Sequence, residues 1–343
     1  MSASNHIEPS FLEIKQCAVC ESSEISKVLN NITDDVSAAV EYNGYVFICK
    51  SCDHAFLSPV LNKDTIHLAY KGYYTQSQDN LEISSNANFD KFSVFKEFYN
   101  YRFKGLKSNK GMFISFLSNI IPFVKFYLAR ASRFLSVPSE NKLLTLLDVG
   151  CGRGDFLIRA KHCGYKATGI DFDPKTIEIA NSRGLHALVG EIQDLPNSYK
   201  YDAITLSHVL EHVYDPKDLL KEILERLKPG GYLYLATPNF NSAGRLTFGK
   251  HWRGIDAPRH LHFFNTVSLE KLLNEIGYGS VKLVYDLPQS IGIIKSSFKL
   301  MPSGKENLLQ SLRRFLLLLK HRFYHPNHLD VTVFRCFKSD VKR

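Results

Sequence analysis

Leu144-Thr145-Leu146-Leu147-Asp148-Val149-Gly150-Cys151-Gly152-Arg153-Gly154 is the stretch that decides how this chain folds. An apolar run that reads as a buried strand reaches Asp148, meets three glycines spaced two apart, and gives way to a helical pattern from Asp155. Glycine at 150, 152 and 154 lets the backbone turn sharply and lie against a ligand where a Cβ would collide. A dinucleotide fingerprint would carry its third glycine at position 155, where this chain has Asp155. The loop therefore reads as a cradle for an adenosine ligand other than NAD.

Downstream segments narrow the ligand. Ala167 to Ile170 reads as a second short strand, followed by Asp171, an acid placed to accept both hydroxyls of an unphosphorylated ribose. Then come Gly190-Glu191-Ile192-Gln193-Asp194-Leu195-Pro196, a strand Ala203 to Ser207, the tract His208 to Val213, and Lys228-Pro229-Gly230-Gly231 before a strand Tyr232 to Ala236. In that order these motifs resemble the class I S-adenosylmethionine (SAM) dependent methyltransferases. Glu211-His212-Val213 with Thr237-Pro238-Asn239 is similar to their ubiquinone-methyltransferase-like branch.

The resemblance covers about residues 140 to 285. It implies a doubly wound, Rossmann-like α/β fold on a seven-stranded sheet, with SAM as cofactor. Asp148, Gly150, Gly152 and Gly154 match the loop around the methionine end of SAM, with Cys151 and Ser207 beside it. Asp171 matches the ribose acid, with Phe172 next to it, and Glu191 and Ile192 match the pair beside adenine. Glu191 departs slightly from the family, in which aspartate is commoner.

Four of the seven cysteines form two close pairs, Cys17-Ala-Val-Cys20 and Cys49-Lys-Ser-Cys52. Each CxxC sets two thiolates on one tight knuckle, and two knuckles together supply the tetrahedral sulfur shell of a structural zinc site. Val28 to Val46 is long enough to fill the gap between them with a hairpin. Cys151, Cys163 and Cys336 sit in apolar contexts and read as small core residues. An N-terminal knuckle followed by Tyr70-Lys71-Gly72-Tyr73-Tyr74 and a methyltransferase domain resembles the sugar methyltransferases, including C-methyltransferases of deoxysugar pathways. In those enzymes the small module closes over the substrate side of the cleft, which gives Tyr73 and Tyr74 a place in the lid.

The expected organisation is a zinc-binding module over residues 1–75, a helical connector over 76–139, and the methyltransferase domain over 140–343 with a helical insertion near 290–328. Asn88 to Leu135 is rich in aromatics at spacings of three and four, with lysines and arginines between them. It reads either as helices packed on the core or as an interfacial helix on an anionic membrane, which would suit a lipid-linked sugar. Leu308 to Tyr324 is apolar but too short and too charged to span a bilayer. The start lacks the charged and apolar regions of a secretory signal, so a cytoplasmic protein with peripheral membrane contact is expected.

An acceptor hydroxyl or carbon of low acidity needs a base on the open side of the cleft. Two places offer one: the tract His208 to Val213, and the loop His251 to Thr266 after the fifth strand. In the deoxysugar C-methyltransferases a histidine occupies the place matching His260, which makes it the first candidate; His262 and His212 follow, with Glu211 to orient one of them. Those enzymes usually carry an acid before that histidine. Here Arg259 stands there, which favours O-methylation over C-methylation and fits a clamp on an anionic substrate group. The net charge of +9 fits an anionic sugar substrate, an anionic membrane or RNA. Nucleic acid is disfavoured, because the fourth strand ends in Ser207-His208 without an Asn-Pro-Pro-Tyr tract and no RNA-recognition motif is present. The sequence thus points to a methyltransferase acting on a sugar or glycoconjugate precursor, with a phenol or quinone as the alternative acceptor. It leaves the oligomeric state open.

Overall fold

A computed structural model describes residues 8–71, 97–98, 100–102, 107–121, 128, 131–136, 143–301, 308–321 and 325–339. Its centre is a seven-stranded sheet in the order Ser280–Val284, Val331–Phe337, Leu227–Pro238, Tyr201–Ser207, Leu144–Val149, Tyr165–Asp171, Ala187–Val189. Only Val331–Phe337 runs against its neighbours. Strands covered on both faces must be apolar throughout, and Leu146, Leu147, Ile204, Leu206, Leu233 and Leu235 are all fully buried. The doubly wound Rossmann-like sheet expected from the sequence is present, and its last strand in chain order is Val331–Phe337.

Helices on this sheet begin and end where local chemistry directs. Pro216–Arg226 starts at Asp215, whose carboxylate accepts from the Asp218 amide, with proline in the first turn. Thr266–Ile276 opens on an Asn265–Ser268 capping box and stops at Gly277, which takes the left-handed conformation. The insertion contains two described helices, Leu287–Leu300 and Leu308–Lys320. Between Asn88 and Leu135 the longest described helix is Asn109–Ile120. Met112, Phe113, Phe116 and Ile120 lie on its exposed side, and Ile114 packs against the core.

The N-terminal module forms its own antiparallel sheet, Ile25–Ile32, Gly44–Cys49 and Ala55–Ser58, so a hairpin does fill the gap between the two CxxC pairs. The sequence did not show that a fourth strand comes from the other half of the chain. His262–Phe263 pairs with Ala55 and Phe56, and the Leu57 amide donates to the Leu261 carbonyl at 2.9 Å. Cys17, Cys49 and Cys52 belong to the same apolar cluster as Phe264, Leu269 and Leu272. The module is therefore welded to the loop that follows the fifth strand. Tyr73 and Tyr74 lie outside the described residues.

Candidate active site

The glycine loop caps the strand Leu144–Val149. All three glycines have positive φ. A Cβ at Gly150 would stand 2.3 Å from Val209 Cγ2 and one at Gly154 2.3 Å from Leu185 Cδ1, whereas one at Gly152 would meet nothing within 4 Å. Two glycines are thus dictated by packing beneath the loop, and the third faces open space where a ligand can approach. Asp171 ties the loop to the next strand: one oxygen accepts from the Gly152 amide at 2.9 Å, the other from the Asp173 amide at 3.0 Å. Each oxygen keeps a lone pair for a ribose hydroxyl. Burial raises the pKa of Asp171.

Asp148 lies below the loop and is fully buried. It accepts from Thr205 Oγ1 at 2.5 Å and from Arg133, whose guanidinium also covers the Phe156 ring at 3.8 Å. Asp148 is thus tied to Thr205 on the neighbouring strand and to Arg133, which lies at the end of the connector and was not singled out in the sequence. Cys151 is buried and touches the strand at Gly169, as a core cysteine would. Ile192 is a core side chain, Glu191 is exposed in a capping box with Asp194, and Phe172 is exposed with Tyr70 against it at 5.7 Å. Ser207 closes the fourth strand beside the loop, half-buried.

Next to this loop, a pocket of about 290 Å³ is lined by His208, His212, His260, Arg253, Asp256 and Gln289, with Pro238, Ile293 and Val331 as an apolar wall. His208 projects from the strand end in a left-handed conformation, φ 57°, which a non-glycine residue holds only when its surroundings fix it. Its Nδ1 lies 3.2 Å from Glu211 Oε1 and its Nε2 2.9 Å from Gln289 Oε1. Gln289 is pinned in that orientation, because its Nε2 donates to Asp286 at 2.8 Å. Both ring nitrogens of His208 thus face acceptors. Burial disfavours the charged ring, but the bond to Glu211 and its charge outweigh that, and the pKa of His208 rises. The side chain is nonetheless 39% exposed, through the pocket.

Glu211 is completely buried and accepts from Thr237 Oγ1 at 3.0 Å as well. Burial alone would raise its pKa, but His208, His260 and His212 around it bring it down to about 2. Glu211 was expected to orient His262 or His212; the carboxylate orients His208 instead. His260 donates from Nδ1 to the Gly254 carbonyl at 2.8 Å, leaving Nε2 as the lone-pair nitrogen, and burial followed by the nearby His212 pushes its pKa down to about 4. His212 stands edge-on to His260 at 4.6 Å and shares Nδ1 between the Arg259 carbonyl at 3.0 Å and the Tyr70 hydroxyl at 3.1 Å. One ligand atom each of Glu211, His212 and His260 lies within 4.8 Å of the others.

Two expectations are corrected here. His262 does not line the pocket: it is buried against the module, its Nδ1 3.0 Å from Nε2 of His54, and burial brings its pKa to about 4. Arg259 is no substrate clamp. Its side chain is 0% exposed, and it donates to both oxygens of Asp34 at 2.8 and 3.1 Å, to Asp256 at 2.7 Å, to Ser37 Oγ and to the Ala69 carbonyl. The charge in this loop meets a carboxylate of the N-terminal module and fastens the two parts of the chain together.

The four cysteine sulfurs lie within 4.8 Å of one another, with Cys17–Cys52 at 3.6 Å and Cys20–Cys49 at 3.5 Å. A disulfide needs about 2.05 Å. The edge of a tetrahedron with zinc–sulfur bonds of about 2.3 Å is about 3.8 Å. The donor set and spacing therefore fit a tetrahedral metal, with Cys17, Cys20, Cys49 and Cys52 as ligands.

Residues 121–283 match the family model described as a methyltransferase domain. A ubiquinone biosynthesis O-methyltransferase of Xanthomonas oryzae pv. oryzae (strain PXO99A) is 35% identical over 102 residues, 27% of this chain and 43% of that protein. The enzyme of the same name from Serratia proteamaculans (strain 568) is 34% identical over 109 residues, 29% and 44% of the two chains. The chain thus spans less than half the length of these curated relatives. A solved SAM-dependent methyltransferase of Archaeoglobus fulgidus superposes with a TM-score of 0.42 at 17% identity, over 70% of this chain and 98% of that one.

Proposed function

We infer that this chain, whose residues 121–283 form a methyltransferase domain, transfers a methyl group from SAM to a hydroxyl of a small polar acceptor, with a sugar or glycoconjugate precursor as the class that fits best. The observation that carries the reading is the His208–Glu211 pair at the pocket beside the glycine loop. The sulfonium of SAM, when bound, supplies an activated methyl, so the protein's share is to hold the acceptor and take its proton. The open face at Gly152 would receive the methionine end of SAM, and Asp171 would hold its ribose.

His208 Nε2 is the atom we assign to accept the proton. The acceptor hydroxyl would take the place now filled by Gln289 Oε1, and Glu211 stabilises the imidazolium that forms. This assignment prefers His208 to His260, whose lone pair faces the same pocket but whose depressed pKa of about 4 makes it a weak base. Arg253, Asp256, His212 and His260 give the pocket the polar lining a polyhydroxylated acceptor requires. A phenol or quinone is the second reading, favoured by what the curated relatives are named for.

Purified protein with methyl-labelled SAM and a panel of nucleotide sugars, lipid-linked sugars and phenols, followed by mass spectrometry, tests this directly. Label on a sugar oxygen is expected. Label on a phenol alone would replace the acceptor class, and label on carbon would remove O-methylation. His208→Ala is expected to cut turnover at least about a hundredfold with SAM affinity unchanged. Retained turnover, with loss instead in His260→Ala, would move the base to His260.

A further inference from the structure

The helix Leu308–Lys320 sits against the protein the wrong way round for a soluble helix. Its sequence places apolar residues at i, i+3, i+4 and i+7, a stripe that ordinarily faces the core. Here that stripe faces outward: Leu312 is 51%, Phe315 56%, Leu316 55% and Leu319 43% exposed, while Leu318, at 7%, is the residue that packs inward. Arg313 and Lys320 are exposed along one edge of the stripe, and the helix holds no acidic residue. The helix beside it, Leu287–Leu300, is also free of acids and exposes Lys295 and Lys299. Arg314 reaches across to the Phe298 ring at 5.8 Å, and Leu318 shares an apolar cluster with Ile294.

From this we propose that Leu308–Lys320 is a docking face for an anionic phospholipid surface, with Leu312, Phe315, Leu316 and Leu319 entering the interface and the basic side chains meeting lipid phosphates. Four neighbouring apolar side chains open to water cost free energy unless something covers them. The charge pattern selects the cover. A second copy of the chain meeting this face about a twofold axis would bring one acid-free, lysine- and arginine-edged surface against another. An anionic lipid surface complements it and lets long basic side chains reach headgroups while leucine and phenylalanine sink to the acyl boundary. No helix among the described residues is long and apolar enough to cross a membrane, so the contact is peripheral. Leu287–Leu300 lines the pocket with Gln289, Gly292, Ile293 and Ser296; it and the docking helix both pack against the short helix Ala243–Phe248 and contribute to one apolar cluster, which puts the pocket near the lipid surface. The proposal does not depend on which acceptor is methylated.

Cosedimentation of the full chain with vesicles of phosphatidylcholine, with and without about a third phosphatidylglycerol, tests it without any activity measurement. Binding to the anionic vesicles and little to the neutral ones is expected. Arg313→Glu/Lys320→Glu is expected to weaken it at least about tenfold at low salt, and Phe315→Ser/Leu316→Ser to abolish it. Both pairs are surface changes, and unaltered far-ultraviolet circular dichroism checks each. Absence of binding to anionic vesicles, or binding that neither pair weakens, overturns the proposal. So does sedimentation equilibrium showing a dimer that Phe315→Ser/Leu316→Ser dissociates, which would assign the stripe to self-association.

Discussion

Replacing Arg259 by methionine separates the two roles open to an arginine in that loop. In the folded chain its guanidinium is out of contact with water and bonded to Asp34 and Asp256, both 1% exposed at the side chain. Methionine keeps much of the volume and removes the charge. Asp256 retains Arg253 at 2.9 Å, but Asp34 loses its cation and keeps only the Ser37 hydroxyl and local amides. Breaking a buried pair and leaving one charge behind costs about 3–5 kcal/mol, and the loss of the Ala69 and Ser37 bonds adds to it. Urea unfolding of wild type and Arg259→Met should show a stability loss in that range. Arg259→Met/Asp34→Asn should recover at least about 1 kcal/mol by removing the stranded carboxylate. KM for the acceptor, measured where both proteins are folded, should change by less than about threefold. A stability loss under about 1 kcal/mol together with a hundredfold rise in KM would refute the reasoning and restore Arg259 as an anion clamp.

Three further outcomes follow from the geometry. Gly150→Ala puts a Cβ 2.3 Å from Val209 at φ 70°; calorimetry should find SAM bound at least about tenfold more weakly, and unchanged affinity would remove the loop from the cofactor site. In Glu211→Gln the charge that raises the pKa of His208 is gone. A neutral base gains activity as pH rises through its pKa, so the acid limb of kcat/KM should move to lower pH in the variant; a limb that stays in place or moves up argues against His208. Elemental analysis should find about one zinc per chain, lost in Cys49→Ser with a lower melting temperature, because these cysteines share a cluster with Phe264, Leu269 and Leu272; wild-type protein purified without chelator and free of zinc would refute the site.

Much of this protein is written in short-range pattern. An apolar strand running into GxGxG, an acid after the second strand, and two CxxC pairs each carry meaning within a few residues, because backbone geometry, strand burial and knuckle formation are local requirements. From them the doubly wound sheet, the glycine loop and the four-cysteine cluster were legible. The histidines were legible as a group, since loops at the carboxyl ends of parallel strands are where ligands meet such a sheet.

Which histidine does what was not. His208 owes its bonding to Glu211 three residues on and to Gln289, 81 residues away; His262 is turned from the pocket by pairing with a strand of the N-terminal module, and by His54, 208 residues distant. Arg259 reads the same in sequence whether it faces a ligand phosphate or Asp34, which lies 225 residues earlier. The outward turn of Leu312, Phe315, Leu316 and Leu319 likewise depends on Leu318 being the residue that finds the core. Charge and hydrophobicity are properties of a residue, but their use depends on what the fold sets opposite it. For Arg259 and His262 that partner is the N-terminal module, and only the tertiary structure brings it there.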